Sequence, residues 1–229
     1  MLNASCALGN AIICTSDQGG IDVLTSSTKN TITHYSEKAR HYFDLYNSVE
    51  AENVHSDWKA FLQNANKSTA LDVGAGSGRD ANWLAEQGWK VTAAEPADEL
   101  RNLAQANSHN SVIWCNASLP ALTALPQAPK TYDLILLSAV WMHLPKDERP
   151  PALKRLAELL SVNGTMYISL RFGPNDEARP MHPVSFEELA TLAKSNRLIA
   201  RNLNTVPNQD GLKRDDVKWV TVEVVKIAD

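Results

Sequence analysis

The sequence predicts an α/β protein built on one doubly wound parallel sheet, with helical segments ahead of it. Three observations carry that expectation. Short apolar strands alternate with amphipathic helices from about residue 69 onward, the pattern of crossover units that feed a common sheet. Residues 132–138 (YDLILLS) are apolar on consecutive positions, as a strand covered on both faces is. Gly74, Gly76 and Gly78 stand between the first strand and the first crossover helix, where backbone can turn tightly against a ligand.

Taken in order, residues 1–32 are rich in Ser, Thr, Asn and Gly without clear periodicity. They are expected to form a flexible tail, leaving 33–229 as the folded domain. Residues 35–46 read as a helix, because Ala39, Tyr42, Phe43 and Tyr46 recur at spacings of three and four. Residues 54–62 (VHSDWKAFL) form a second amphipathic segment. Strand 69–73 leads to helix 80–87, stopped by Gly88. Strand 90–95, helix 98–106, strand 112–115 and strand 132–138 follow. Helix 146–160 is read as stopping at Asn163-Gly164, before strand 165–170. Ser185 caps helix 186–195, with Glu187 and Glu188 in its first turn, where the helix dipole favours them. Strands near 198–203 and 218–226 close the chain.

At 229 residues, 44% hydrophobic and 21% charged, the chain suits one globular domain. A net charge of −4 without any basic run disfavours a large nucleic-acid partner. Cys6, Cys14 and Cys115 lack metal-ligand or CxxC spacing, so no disulfide framework or metal site is expected and a reducing cytoplasm is. Residues 1–20 lack a basic leader and their apolar run breaks at Asn10, so neither a signal peptide nor an anchor is expected. No apolar run approaches the length of a bilayer span.

The glycine loop points to a ligand. Its pattern is GxGxGR, with Arg79 in place of the spacing GxGxxG that suits a pyrophosphate. Asp72 ends the apolar strand two residues before Gly74, where a carboxylate needs a cationic or hydrogen-bonding partner. Glu95 ends the second strand, a position suited to gripping two ribose hydroxyls. A ligand with a ribose and a positive charge but no pyrophosphate fits this set.

The ordered stretches LDVGAGSGRDA, AAEP, YDLILLSAVWMHLP and LLSVNGTMYISL resemble the motifs of class I S-adenosylmethionine-dependent methyltransferases. The resemblance runs from about Tyr35 to the C-terminus. It implies a Rossmann-like seven-stranded sheet whose antiparallel last strand is VKWVTVEVVKI, an N-terminal helical lid, and S-adenosyl-L-methionine as cofactor. It also implies that Asp72, Gly74 and Gly76, with Arg79 beside them, line the methionine and ribose side. Glu95 would hold the ribose and Pro96 would lie beside the adenine. The family usually places an acid or amide after the third strand for the adenine amino group. Here that stretch has no acid, which leaves Asn116, Ser118 or a backbone carbonyl. Ser138 to Val140 would pass beneath the donor.

The methyl acceptor is expected beyond the carboxyl ends of the strands. His143 is the candidate general base, since its ordinary pKa lies near neutrality; the alternative reading is a helix-cap or surface histidine. Trp141 is a candidate substrate platform or a core residue. Arg171 interrupts an apolar strand end before Gly173-Pro174 and suits a clamp on a carboxylate or phosphate, or a salt bridge to a helix end. Tyr35 and Tyr42, with Tyr46, would fold over the crevice. Arg179, Met181 and His182 lie on a loop within reach, and Arg214 reads as a site residue or a solvated turn. The expected activity is methyl transfer to O or N of a small-molecule acceptor, one that could bear a carboxylate. A protein or peptide methyltransferase, an RNA methyltransferase (against the acidic balance) and a non-catalytic S-adenosylmethionine binder stay open. So does an NAD-dependent dehydrogenase, against which the missing third dinucleotide glycine counts.

Overall fold

The computed structural model describes residues 24–65 and 68–226. The chain enters through helix α1 (Ser26–Glu37), capped by Thr25, whose hydroxyl accepts the Thr28 amide at 3.3 Å. The expected tail is therefore corrected for residues 26–32, which are helical; residues 1–23, with Cys6 and Cys14, lie outside the described residues. A Thr-rich stretch has weak helix propensity. Here tertiary contacts override it: Thr28 and Thr31 are buried, and Thr28 Oγ1 donates to Glu148 Oε2 at 3.0 Å.

Helix α2 (Ala39–Asn47) follows, and the amphipathic segment expected at 54–62 divides into α3 (Ala51–Val54) and α4 (Lys59–Asn64). The His55 amide closes α3 on Ala51 O, and the Trp58 ring turns to stack on Tyr167 with centroids 4.3 Å apart. Then come β1 (Thr69–Val73), α5 (Arg79–Glu86), β2 (Lys90–Ala94), α6 (Asp98–Ala106), β3 (Ile113–Cys115) and β4 (Tyr132–Leu137). A 3-10 turn (Trp141–His143) leads to α7 (Arg149–Leu159) and β5 (Leu160–Phe172). Helix α8 (Phe186–Ser195) and strands β6 (Leu198–Asn202), β7 (Asn208–Gln209) and β8 (Lys218–Lys226) complete the order.

The strands pair in the order β3-β2-β1-β4-β5-β8-β6. Strands β1 to β5 are parallel, and β8 runs antiparallel between β5 and β6. The two-residue β7 adds an eighth strand by pairing with Trp219 and Lys218 of β8, one more than the seven expected. Helix α7 also starts later than expected, with prolines in its first turn, where the absent N–H costs nothing. Strand β5 begins immediately after it. Tyr132 pairs with Leu160 and Leu134 with Thr165, so residues 161–164 bulge out of the ladder. Asn163, at φ 62°, belongs to that bulge and is not the helix stop.

The alternation of β4 explains the layers. Ile135 and Leu137 point into a core shared with Leu153 and Leu156 of α7 and Leu189 of α8. Leu134 and Leu136 point oppositely, toward Trp58, Trp83 and Leu84. All four are essentially inaccessible, and each such side chain contributes about 1.5–3 kcal/mol of burial. The chain leaves β1 for β2 on one side and returns through β4 on the other. The crevice at the carboxyl ends of β1 and β4 is thus the sheet's topological switch point, where ligands bind in open α/β folds.

Candidate active site

A cavity of about 590 Å³ opens at that switch point, within the usual size of a small-molecule site. One side is built by the glycine loop. Gly74 has φ +68°, and a Cβ there would lie 2.6 Å from Val140 Cγ2, so only glycine fits this turn. The loop folds back so that the Gly76 amide donates to Glu95 Oε2 at 2.8 Å. Glu95 Oε1 takes the Ala97 amide at 2.8 Å, which ties the loop to the start of α6. Burial raises the Glu95 pKa, against the pull of those two amides and Arg101.

Gly74, Gly76, Arg79, Glu95, Pro96, Ser118 and Ser138 all line the cavity, as does the stretch from Ser138 to Val140. Arg79 is not a free cation. Its Nε and Nη2 donate to Asp80 Oδ1 and Oδ2 at 2.7 and 2.9 Å, and His55 Nε2 sits 3.0 Å from Asp80 Oδ1. Burial opposes the Asp80 charge, but Arg79 and His55 prevail and hold its carboxyl well below the usual range.

The opposite side comes from both flanks of the sheet. Tyr35 and Tyr46, His143, Arg171, Arg179 with Met181, and Arg214 all reach it. Tyr35 Oη lies 3.1 Å from His143 Nε2, and His143 Nδ1 lies 3.1 Å from Pro180 O. The carbonyl can only accept, so Nδ1 carries the proton and Nε2 accepts from Tyr35. Arg179 Nη1 donates to Tyr35 Oη at 2.9 Å and to Tyr46 Oη at 3.3 Å. Burial, reinforced by Arg179 and Arg171 against the Pro180 bond, lowers the His143 pKa to about 4. A ring this weakly basic, with both nitrogens engaged, does not match direct proton abstraction by His143.

Other expected site residues lie off the wall. Asp72 is buried behind the glycine loop, with Oδ2 lacking a hydrogen bond among the described residues. Burial and the Asp80 charge push its pKa well up. Asn116 is exposed and donates its amide to Asp98 Oδ1 at 3.2 Å, so Ser118 rather than Asn116 faces the cavity. Tyr42 supports the wall from behind: its ring stacks on Tyr46 and its hydroxyl lies 2.9 Å from His34 Nε2. Trp141 is wholly buried in the core on the α7 side, which removes it as a platform. His182 Nε2 approaches Ser27 Oγ at 3.4 Å, outside the cavity lining. His55, Asp80 and Asp210 were not singled out from the sequence. The spacing of Asp210 and Arg214 by four was a readable signal, since Arg214 Nε and Nη2 each donate to Asp210 at 2.8 Å.

Sheet order, glycine loop and switch-point cavity together define a Rossmann-like methyltransferase domain. Residues 71–168 match the methyltransferase domain family, and this match, with the relatives and solved structures below, supports a class I S-adenosylmethionine-dependent methyltransferase. It is similar to the malonyl-(acyl-carrier protein) O-methyltransferase of Halalkalibacterium halodurans, 26% identical over 197 residues, covering 80% of this chain and 66% of that protein. It is also similar to the probable S-adenosyl-L-methionine-dependent methyltransferase TehB of Haemophilus influenzae, 22% identical over 166 residues, covering 72% and 56%. The chain therefore spans 66% and 56% of the length of these two relatives. In fold it is similar to the 1,6-didemethyltoxoflavin-N1-methyltransferase of Burkholderia thailandensis, solved with 1,6-didemethyltoxoflavin and S-adenosylhomocysteine. The TM-score is 0.66 and the identity 19%, over 91% of this chain and 94% of that one. Among the described residues no helix is long and apolar enough to cross a membrane.

Proposed function

We propose that this chain catalyses methyl transfer from S-adenosylmethionine to an O or N atom of a small-molecule acceptor. Glu95 carries the reading. Each of its oxygens takes one backbone amide, and a carboxylate has capacity for roughly two more donors. A ribose diol supplies two. The cavity wall at Gly74 and the buried, unpartnered Asp72 Oδ2 behind the loop fit the rest of the ligand. A cationic group nearby would relieve the penalty that holds the Asp72 pKa up.

When bound, S-adenosylmethionine supplies an electrophilic methyl carbon on a sulfonium. The chain's part is largely positional, because aligning two reactants removes much of such a barrier. Glu95 and the glycine loop hold one reactant, and the wall of Tyr35, Tyr46 and the arginines holds the other. These N-terminal helices serve as the lid. Tyr35 Oη faces the cavity with its proton directed at His143 Nε2. His143, neutral at pH 7, keeps that phenol oriented and is a positioning residue.

Calorimetric titration with S-adenosylmethionine, S-adenosylhomocysteine and NAD in parallel tests the reading. Binding of the first two without NAD supports it. Failure of both sulfur ligands to bind the full chain overturns it.

A further inference from the structure

Four guanidinium groups reach the cavity, and three of them are already neutralised within the chain. Arg79 holds Asp80 and Arg214 holds Asp210, each through the edge formed by Nε and Nη2. Arg179 holds Asp176 through Nε at 2.9 Å. Arg171 differs. It is 8% exposed, its Nη1 donates to Pro174 O at 2.8 Å, and its Nε has no hydrogen bond. Among the described residues no carboxylate stands within ion-pairing distance of it. Asp210 and Asp216 attract it only from farther away, while Arg214 and Arg179 repel it.

A buried charge without a counter-ion is costly. Arg171 lines the cavity, and a guanidinium of this kind grips a carboxylate through its Nε–Nη2 edge at Arg79 and again at Arg214. That planar fork matches the two oxygens of a carboxylate. One unneutralised cation balances one negative charge, which favours a carboxylate over a phosphate dianion. Arg171 stands in register with Trp219 on β8, and Tyr35, Tyr46 and Tyr167 also line the cavity, so the surroundings suit a flat or apolar body.

We infer that Arg171 forms an acceptor subsite that anchors a single carboxylate of a small, partly apolar or aromatic substrate. The inference rests on the methyl-transfer reading above and names the acceptor's chemical class.

The test uses the full chain saturated with S-adenosylhomocysteine and titrates benzoate, benzamide and inorganic phosphate by calorimetry. Benzoate should bind about tenfold more tightly than either of the others. Arg171→Gln should abolish that preference while changing S-adenosylhomocysteine affinity by less than about threefold. Arg171→Lys keeps the charge without the fork and should weaken benzoate by about tenfold. Equal binding of benzoate and benzamide, no benzoate binding, a preference for phosphate, or an unchanged preference in either variant overturns the subsite. A variant that loses S-adenosylhomocysteine and benzoate equally assigns Arg171 to the donor's own carboxylate, which also overturns it. Should the glutamine variant not fold, the wild-type comparison with benzamide still decides. If S-adenosylhomocysteine fails to bind the wild-type chain, the methyl-transfer reading falls first.

Discussion

Tyr35 Oη and His143 Nε2, separated by 108 positions in the chain, lie 3.1 Å apart, and Arg179 donates to the same phenol oxygen at 2.9 Å. This contact fastens α1 across the end of β4. Tyr35→Phe should lower turnover of any acceptor found by screening about tenfold to hundredfold, leaving S-adenosylhomocysteine affinity within about threefold. Steady-state kinetics beside calorimetry would check this. An equal loss in both would place Tyr35 in the donor site instead.

The His143 environment makes stability depend on pH. Folded, the ring stays neutral down to about pH 4; unfolded, it takes up a proton near the ordinary value of about 6.5. Between those values the unfolded chain binds more protons, so this contribution rises with pH across that window and levels off above it. Melting temperatures of wild type and His143→Gln from pH 4 to 8 would show it as a shallower dependence in the variant. Superimposable curves would remove His143 as the source.

Glu95→Ala should weaken S-adenosylhomocysteine about hundredfold to ten-thousandfold, the scale of two hydrogen bonds to a charged group. The same change frees the Gly76 and Ala97 amides, so hydrogen exchange at both should accelerate. Unchanged affinity by calorimetry would contradict the ribose assignment.

The glycine loop and the long apolar strand were legible because they are local. Glycine at residue 74 answers to the turn itself, and the burial of β4 on both faces shows in its own residues. What could not be read was which way a side chain points just past a strand end. Trp141 follows Ala139, which adopts the left-handed backbone at φ 59°; the 3-10 turn after it sends the indole into the core. Asn116 turns outward because Asp98, at the start of the preceding helix α6, takes its amide. Helix α1 was invisible because its buried threonine finds its partner, Glu148, 120 positions away.

Gly74→Ala should cost about 1–3 kcal/mol, from the left-handed backbone together with the 2.6 Å approach to Val140. Adding Val140→Ala should recover only the steric part, since φ +68° remains strained for alanine. Urea denaturation of the single and double variants separates the two. Full recovery would mean that the turn tolerates a side chain.

Asp80→Asn should destabilise the fold by about 3–5 kcal/mol, because it strands the buried Arg79 guanidinium beside His55. The depressed Asp80 pKa means that its contribution is present above the ordinary aspartate value and fades only as pH falls below it. Denaturant titrations at neutral pH would check the size. A loss under about 1 kcal/mol would show that the pair is relieved by water.

Apart from His143, the two sides of the cavity have separate origins in the chain. The glycine loop, Glu95, Ser118 and Ser138 all fall within residues 71–168, the segment shared with the methyltransferase domain family. Tyr35, Tyr46, Arg171, Arg179 and Arg214 all fall outside it. Substitutions in the flanking segments would therefore reshape one wall of the cavity and leave the glycine-loop wall as it is, so the two walls can be altered independently by mutation.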